Sequence, residues 1–218
     1  MPDEQEPGGA TRIVEQFHRL YYESEAQTWK NTFFLGVRTA KCPLDLWIYQ
    51  ELLFDLRPDL VVECGTAWGG SALYLATICD LVDTGRIVTI DVADDPGRPQ
   101  HPRITYVHGS STSDEVVAMV HHEAASAGSV LVLVLLDSDH SCEHVAGELA
   151  AYASLVTPGS YLVVEDTNVN GHPVLPEFGP GPWEAVDGFL ATHPEFVVDD
   201  EREKFFLTFN PRGFLRRR

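Results

Sequence analysis

The sequence predicts an α/β fold with a mostly parallel sheet of seven strands and helices on both faces. Three observations support this prediction. Short apolar runs alternate with helical patterns along most of the chain, the first run enters a helix through a glycine-rich turn, and four runs end in acidic residues. Strands that alternate with helices pair in parallel through right-handed crossovers, so a layer of helices is expected on each face.

The part of the chain before the first strand is predicted to be helical. Residues 1–10 are rich in proline, glycine and acid and are predicted to form a disordered tail, with residues 11–218 forming one domain. Within that domain, residues 11–56 are predicted to be an extension, which either roofs a binding site or only packs against the sheet. Its predicted elements are a helix over 11–25, an aromatic loop over 29–38 and a helix from Pro43 to about Leu56.

The first strand and the turn after it carry a ligand-binding pattern. Leu60–Cys64 is apolar except for Glu63, and three glycines follow within six residues before a helix that starts near Ser71. Glycine permits positive φ angles and the close approach of a ligand, and the helix N-terminus offers free N–H groups. The spacing differs from the dinucleotide fingerprint, and an acid inside the motif would repel a diphosphate.

This pattern resembles the first motif of methyltransferases that use S-adenosylmethionine (SAM). The alternative is a tight strand–helix turn of any doubly wound fold. On the SAM interpretation, the residues of the turn that contact the cofactor are Glu63, Gly65, Thr66, Gly69 and Ser71.

The second and third strands are predicted at Arg86–Asp91 and Ile104–His108. Asp91 follows the glycine turn by about 20 residues at a strand end, which is where a carboxylate binds ribose hydroxyls in related folds. The alternative is a strand-end acid without a ligand. A serine-rich run then precedes a helix over about 114–127, and its Ser111 is predicted either to contact adenine or to belong to a helix cap.

Acidic residues follow the next two predicted strands, Val130–Leu136 and Tyr161–Val164. Asp137 follows the strand that ends at Leu136 and is also expected to contact the cofactor. Glu165 and Asp166 follow the strand that ends at Val164. Three carboxylates this close raise one another's pKa unless a cation intervenes. Oxygen ligands favour Mg²⁺, with Mn²⁺ or Ca²⁺ as alternatives, and such a metal would fix an acceptor hydroxyl. The remaining alternative is a set of solvated acids.

Two histidines lie near this cluster, at the start of a helix predicted to run to Leu155. His140 and His144 are four residues apart and could share a helix face. They could ligate zinc, act as a general base, or serve in capping and packing. We favour His140 as the base because it is nearer the acids, with Asp139 orienting it or adding a metal ligand.

The C-terminal part is predicted to contain a long loop, a helix and a hairpin. Val169–Pro182 is long enough to act as a lid. The helix is predicted at Trp183–Thr192, the hairpin strands at Phe196–Asp199 and Phe205–Phe209, and a solvated tail at Arg216–Arg218.

Composition excludes several classes of protein. The chain has 218 residues and a net charge of −18, which argues against binding a phosphate backbone. No run approaches the ~20 apolar residues that span a membrane, and the acidic N-terminus does not read as a signal peptide. The four cysteines form no C-x-x-C pair, so they are expected to be reduced thiols in a cytoplasmic protein.

Several motifs together resemble the cephalosporin hydroxylase family, over nearly the whole chain after residue 30. They lie at Lys41–Trp47, Asp137–Ser141 with His144, Gly159–Asn168, Gly179–Pro182 and Thr208–Gly213. Despite its name, this family has a SAM methyltransferase fold and includes rhamnosyl O-methyltransferases and antibiotic-tailoring enzymes. The resemblance implies a Rossmann-like fold and Mg²⁺ ligands at Asp137, Glu165 and Asp166. The predicted C-terminal hairpin would add one antiparallel strand at the edge of the sheet. In the similar catechol O-methyltransferases a catalytic lysine occupies the place of His140.

The sequence therefore predicts a Mg²⁺-dependent SAM O-methyltransferase of natural-product tailoring, acting on a sugar or polyol hydroxyl. We also expect a homo-oligomer whose partners are small-molecule acceptors. One rival is an iron-dependent oxygenase acting on an antibiotic, with Asp139 and either His140 or His144 among the ligands. A second rival is a SAM-binding subunit without catalytic activity.

Overall fold

A computed structural model describes residues 9–126, 128 and 131–218. Its N-terminal part contains helix α1, a short 3₁₀ helix at Thr28–Asn31, a small hairpin and helix α2. Their bounds are Gly9–Glu23 for α1, Phe33–Phe34 and Val37–Arg38 for the hairpin strands β1 and β2, and Pro43–Leu56 for α2. Helices α1 and α2 lie within the segment predicted to be helical, and the aromatic segment predicted as a loop contains a hairpin.

The tail predicted over residues 1–10 lies mostly outside the described residues. Gly9 and Ala10, which we assigned to that tail, are the first residues of α1. Helix formation propagates at little cost from a turn that is already packed, and α1 is anchored by the buried side chains of His18 and Tyr22.

The main sheet has seven strands in the order β5-β4-β3-β6-β7-β9-β8. The strands are β3 Leu60–Cys64, β4 Arg86–Asp91, β5 Ile104–His108, β6 Val132–Leu136, β7 Tyr161–Val164, β8 Phe196–Val198 and β9 Phe214–Arg217. The helices between them are α3 Gly70–Leu81, α4 Asp114–Ser126, α5 Cys142–Tyr152 and α6 Pro182–Leu190. β9 pairs antiparallel with both β7 and β8, and the pairs among β3 to β7 are parallel. The predicted fold class is confirmed, while the predicted strand start at Val130 and helix end at Ala127 lie outside the described residues.

The central strands are covered on both faces, so both faces of the sheet contribute to the core. Val62 and Val134 belong to the hydrophobic cluster on one face, and Val61 and Leu133 belong to the cluster on the other. All ten residues of β3 and β6 are buried. This explains why these strands are continuous apolar runs and not alternating ones.

The predicted C-terminal hairpin is wrong in its second strand. Phe205–Phe209 is not a strand, and β9, which follows it, pairs with β8 instead. The reason is tertiary: the Phe209 ring lies 4.9 Å from Tyr22 and 5.5 Å from Trp29 between ring centroids, so this segment joins the sheet to the N-terminal extension.

The basic C-terminus is also not the solvated tail that we predicted. Arg216 and Arg217 lie in β9, and the Arg217 guanidinium donates hydrogen bonds to the backbone carbonyls of Ser154 and Val156. Its charge thus faces the last turn of a helical segment, where carbonyl groups lack partners within the helix.

The order of the strands places the functional edge of the sheet. Chain order reverses between the neighbouring strands β3 and β6, and ligands bind in this fold beyond the carboxyl ends of the strands at such a point. Asp91 at the end of β4, Asp137 after β6 and Glu165 and Asp166 after β7 therefore lie at one edge of the sheet, and Glu63 lies one residue before the end of β3. Among the described residues, no helix combines the length and apolarity needed to cross a membrane.

Candidate active site

A cavity of about 380 Å³ opens beyond the carboxyl ends of β3, β4 and β6. Its walls are formed by Gly65, Ala67, Ile90, Asp91, Val92, Gly109, Ser110, Ser111, Asp137, Ser138, Asp139 and His144. Gly65 has a φ of +98°, and a Cβ there would lie 1.8 Å from the carbonyl oxygen of Asp137. Only glycine allows the turn after β3 to pass this close to the end of β6.

Asp91 organises the turn and also reaches the cavity. Its Oδ2 accepts hydrogen bonds from the backbone N–H groups of Ala67 at 2.7 Å and Thr66 at 3.1 Å, and its Oδ1 accepts one from Ala93 at 2.7 Å. These bonds hold the glycine turn against the end of β4. Oδ2 is fully used, since it also lies 3.4 Å from the guanidinium of Arg98, whereas Oδ1 retains a lone pair for a hydroxyl donor in the cavity.

The predicted cofactor residues divide into two groups. Gly65, Asp91, Ser111 and Asp137 line the cavity. Glu63, Thr66, Gly69 and Ser71 are absent from its walls and lie in the supporting structure.

Glu63 is the clearest supporting residue. It is fully buried, its Oε2 accepts a hydrogen bond from the Thr89 hydroxyl at 2.6 Å, and burial raises the pKa of its carboxyl group. Gly69 serves packing as well, since a Cβ there would lie 2.9 Å from Cδ of Pro99.

A cluster of acids and one histidine borders the cavity. His140 Nε2 lies 3.1 Å from Asp166 Oδ2 and 4.0 Å from Asp137 Oδ1. One ligand atom from each of these three residues lies within 4.8 Å of the other two. Burial raises the pKa of Asp166 above its usual range. The cluster of Asp137, His140 and Asp166 is suited to bind a cation or to transfer a proton.

Glu165 belongs to the same edge but faces a lysine. The ammonium Nζ of Lys41 lies 2.7 Å from Glu165 Oε1 and also contacts Asp137 Oδ2. The pKa of Glu165 is well above its usual range, because burial and the neighbouring Asp137 carboxylate both disfavour its charge. Glu165 thus lies outside the group formed by Asp137, His140 and Asp166, and Lys41 separates it from Asp137.

Lys41 and Asn210 were missed by sequence reasoning. Lys41 immediately precedes the Cys42–Pro43 start of α2, and the signal for both residues was their place in the motifs Lys41–Trp47 and Thr208–Gly213. Asn210 Oδ1 accepts a hydrogen bond from the backbone N–H of Asp166, whose φ is +53°. Its Nδ2 donates to the Tyr49 hydroxyl at 3.0 Å, so Asn210 fixes the turn that presents Asp166.

The remaining predicted residues have other contacts. Asp139 Oδ1 accepts a hydrogen bond from the backbone N–H of Ser141 at 2.8 Å, which places this carboxylate at the start of α5 and outside the group formed by Asp137, His140 and Asp166. His144 lies in the cavity wall, and the Glu148 carboxylate, 3.5 Å from its Nε2, raises its pKa.

Comparison with known proteins identifies the family of this chain. The model of the rhamnosyl O-methyltransferase/CmcI family matches residues 26–218. The chain belongs to this family. It is therefore a SAM-dependent O-methyltransferase, as the sequence motifs predicted.

Curated members of the rhamnosyl O-methyltransferase/CmcI family are similar along nearly the full chain. A rhamnosyl O-methyltransferase of Mycobacterium tuberculosis is 40% identical over 209 residues, which are 93% of this chain and 84% of that protein. A rhamnosyl O-methyltransferase of Mycobacterium leprae is 37% identical over 212 residues, which are 94% and 91% of the two chains.

Solved structures share the fold of this chain at lower sequence identity than the curated relatives. A CmcI structure with Mg and SAM has a TM-score of 0.64 and 19% identity, and the match covers 87% of this chain and 77% of that one. The MycE methyltransferase of the mycinamycin pathway, in complex with Mg, SAH and mycinamycin VI, has a TM-score of 0.51 and 24% identity, covering 67% and 41%.

Proposed function

We propose that this enzyme transfers a methyl group from SAM to a hydroxyl of a sugar-bearing small molecule, with Mg²⁺ bound at the edge of the sheet. One observation carries the proposal: Asp137 lies in the wall of the cofactor cavity and in the cluster with His140 and Asp166. A methyl donor in the cavity and a hydroxyl at the cluster would therefore be neighbours.

The cavity fits SAM in size and chemistry. Its volume is within the range of small-molecule sites, and apolar and hydroxyl-bearing walls lie beside the carboxylate of Asp91. Asp91 would bind the ribose hydroxyls, and the turn at Gly65 would allow the close approach of the donor. Bound SAM supplies an electrophilic methyl group on its sulfonium.

The acid cluster fits a divalent cation. Asp137, Glu165 and Asp166 are opposed by one ammonium group, that of Lys41, so the charge of the carboxylates exceeds what the described residues neutralise at this point. Burial raises the pKa of both Glu165 and Asp166, and the neighbouring Asp137 carboxylate raises them further. All-oxygen carboxylate ligands suit Mg²⁺. These three residues would hold the ion, which lowers the pKa of an acceptor hydroxyl when bound.

His140 is placed to take the acceptor proton. A general base must reach the hydroxyl, and Nε2 of His140 lies at the edge of the cluster with 28% of the side chain exposed. As the new C–O bond forms and the S–CH₃ bond breaks, S-adenosylhomocysteine leaves and the hydroxyl proton passes to the imidazole of His140. Asp166, at 3.1 Å, then stabilises the imidazolium.

The acceptor is proposed from the relatives and from charge. The curated relatives are rhamnosyl O-methyltransferases, which supports a rhamnose-like sugar. A net charge of −18 disfavours nucleic acid as the acceptor. A role in natural-product biosynthesis, a cytoplasmic location and a homo-oligomeric state remain predictions.

The test combines calorimetry with a methyl-transfer assay on a panel of rhamnosides. We expect wild type to bind SAM with and without EDTA, and to methylate a rhamnoside only with Mg²⁺. Asp166→Asn should retain SAM binding and lose transfer, whereas Asp94→Asn, in an exposed loop, should behave as wild type. Full transfer in EDTA would overturn the role of the metal, and failure of wild type to bind SAM would overturn the whole proposal.

A further inference from the structure

A buried glutamate supports one wall of the cofactor cavity. Glu148 lies on α5 with none of its surface exposed. Its Oε1 accepts hydrogen bonds from the hydroxyls of Ser111 at 2.5 Å and Ser138 at 2.6 Å, and lies 3.5 Å from Nε2 of His144. All three partners line the cavity, and Glu148 lies behind them.

Packing alone does not explain this residue. Transfer of a carboxyl group from water into a protein interior is costly unless hydrogen bonds compensate for it. Here the compensation comes from side chains that also face the ligand cavity. The position of Glu148 therefore affects how Ser111, Ser138 and His144 can contact a ligand in the cavity.

The hydrogen bonds of Ser111 and Ser138 determine which of their groups can donate to a ligand and which can accept. A serine hydroxyl has one proton and two acceptor lone pairs, and both protons are directed at Glu148. His144 Nε2 lies 3.1 Å from Ser111 Oγ, so Nε2 must be the donor in that contact. The hydroxyl oxygens of Ser111 and Ser138, two residues of the cavity wall, can thus act only as acceptors towards a ligand, with one lone pair left on Ser111 and two on Ser138.

We propose that Glu148 is a positioning residue that fixes Ser111 and Ser138 as acceptors for the exocyclic amino group of the adenine of SAM. The inference rests on the proposed SAM site, in which Asp91 marks the ribose end of the cavity and these serines mark the base end. A 6-amino group donates to the two oxygens. A 6-oxo group would face them with lone pairs, so the site selects adenine over hypoxanthine.

The test is the ratio of two affinities measured by calorimetry. The ligands are S-adenosylhomocysteine and its deaminated analogue, S-inosylhomocysteine, which differ only in the purine ring. Wild type should prefer the adenosyl ligand by about tenfold or more, because a mismatched polar group loses its hydrogen bond. Loss of general stability in a variant weakens both ligands alike and leaves the ratio unchanged.

Three variants separate positioning from structure. Glu148→Met removes the acceptor, which frees both hydroxyl protons to turn towards a 6-oxo group, so the ratio should fall to within about twofold of one. Glu148→Gln retains an acceptor oxygen and should keep most of the preference. Glu143→Gln, on the exposed face of the same helix, should match wild type. If Glu148→Met does not fold, Ser138→Ala supplies the same test and should also lower the ratio.

Each outcome decides the inference. A lower ratio in Glu148→Met or Ser138→Ala, with rescue by glutamine, supports it. An unchanged ratio in those variants, or a wild type that binds both ligands equally, overturns it while SAM binding stands. A wild type that binds neither ligand overturns the proposed function itself.

Discussion

The ammonium nitrogen of Lys41 lies 2.7 Å from Oε1 of Glu165, and the same nitrogen contacts Asp137. Lys41 precedes α2, whereas Glu165 and Asp137 follow strands of the main sheet. One buried cation therefore joins the N-terminal extension to the edge of the sheet on which we place the metal. The side chains of Lys41 and Glu165 are 4% and 8% exposed, so solvent screens their charges little.

Replacing Lys41 by methionine should make the protein depend on the metal for stability. Removal of one partner from a buried ion pair leaves the other charge uncompensated, and we expect a loss of about 3–5 kcal/mol in the free energy of unfolding in EDTA. Mg²⁺ should restore more stability to Lys41→Met than it adds to wild type. Urea unfolding of both proteins, in EDTA and in Mg²⁺, measures this difference.

A surface lysine provides the control for that experiment. Lys204 pairs with Glu51, and the Lys204 side chain is 46% exposed. Lys204→Met should cost less than about 1 kcal/mol, with no dependence on Mg²⁺. Equal losses in the two lysine variants would show that Lys41 does not balance the charge of the acid cluster.

His140→Gln should slow methyl transfer without lowering the affinity for the cofactor. Loss of a positioned general base costs about 10²- to 10⁴-fold in kcat. His140 is not among the residues that line the cofactor cavity, so SAH affinity should stay within about twofold of wild type. Single-turnover kinetics and calorimetry give the two quantities. His122→Gln, on the distant helix α4, should leave both unchanged, and a wild-type kcat in His140→Gln would assign the base elsewhere.

The parallel core could be predicted from the sequence because its strands are continuous apolar runs bounded by turn residues. The bounds of β3, β4, β5 and β7 agree with the prediction. β9 was not predicted, because two of the four residues of Phe214–Arg217 are arginines and the segment lacks the apolar pattern of a buried strand. Phe205–Phe209 looked more like a strand, but tertiary packing of its aromatic rings prevailed over local preference.

The site was predicted in outline because the carboxyl ends of parallel strands share one edge. Its supporting contacts could not be predicted, since they join residues far apart in the chain. Lys41 and Glu165 are separated by 124 positions, and Ser111 and Glu148 by 37. A single sequence shows that Lys41 and Glu148 are charged, but not that folding buries them beside particular partners.

Asp45 should make folding stability depend on pH. It is 2% exposed, its Oδ2 accepts a hydrogen bond from the backbone N–H of Phe209, and burial raises its pKa from 3.8 to about 7. The folded state therefore binds this proton more tightly than the unfolded state. The resulting stability is fully present below pH 3.8 and is lost as the pH rises to about 7.

Asp45→Asn should remove that dependence, because an amide keeps the acceptor for Phe209 and cannot ionise. The difference in free energy of unfolding between the variant and wild type should grow in favour of the variant from pH 4 to pH 7, by at most about 4 kcal/mol. Urea unfolding at several pH values in EDTA measures it, with Asp94→Asn as the exposed control. A difference that does not change with pH would show that Asp45 does not titrate in this window.

Gly65 and Gly188 should respond to alanine in opposite directions. At Gly65 the φ is +98° and the new Cβ would lie 1.8 Å from the carbonyl oxygen of Asp137, so we expect Gly65→Ala to lose at least about 3 kcal/mol of stability and to bind SAH poorly. Gly188 is exposed within α6 with no atom near its Cβ position, so Gly188→Ala should gain about 0.5–1 kcal/mol from lower unfolded-state entropy. Thermal unfolding and calorimetry with SAH test both variants. Wild-type stability and SAH affinity in Gly65→Ala would mean that the turn after β3 does not shape the cofactor cavity.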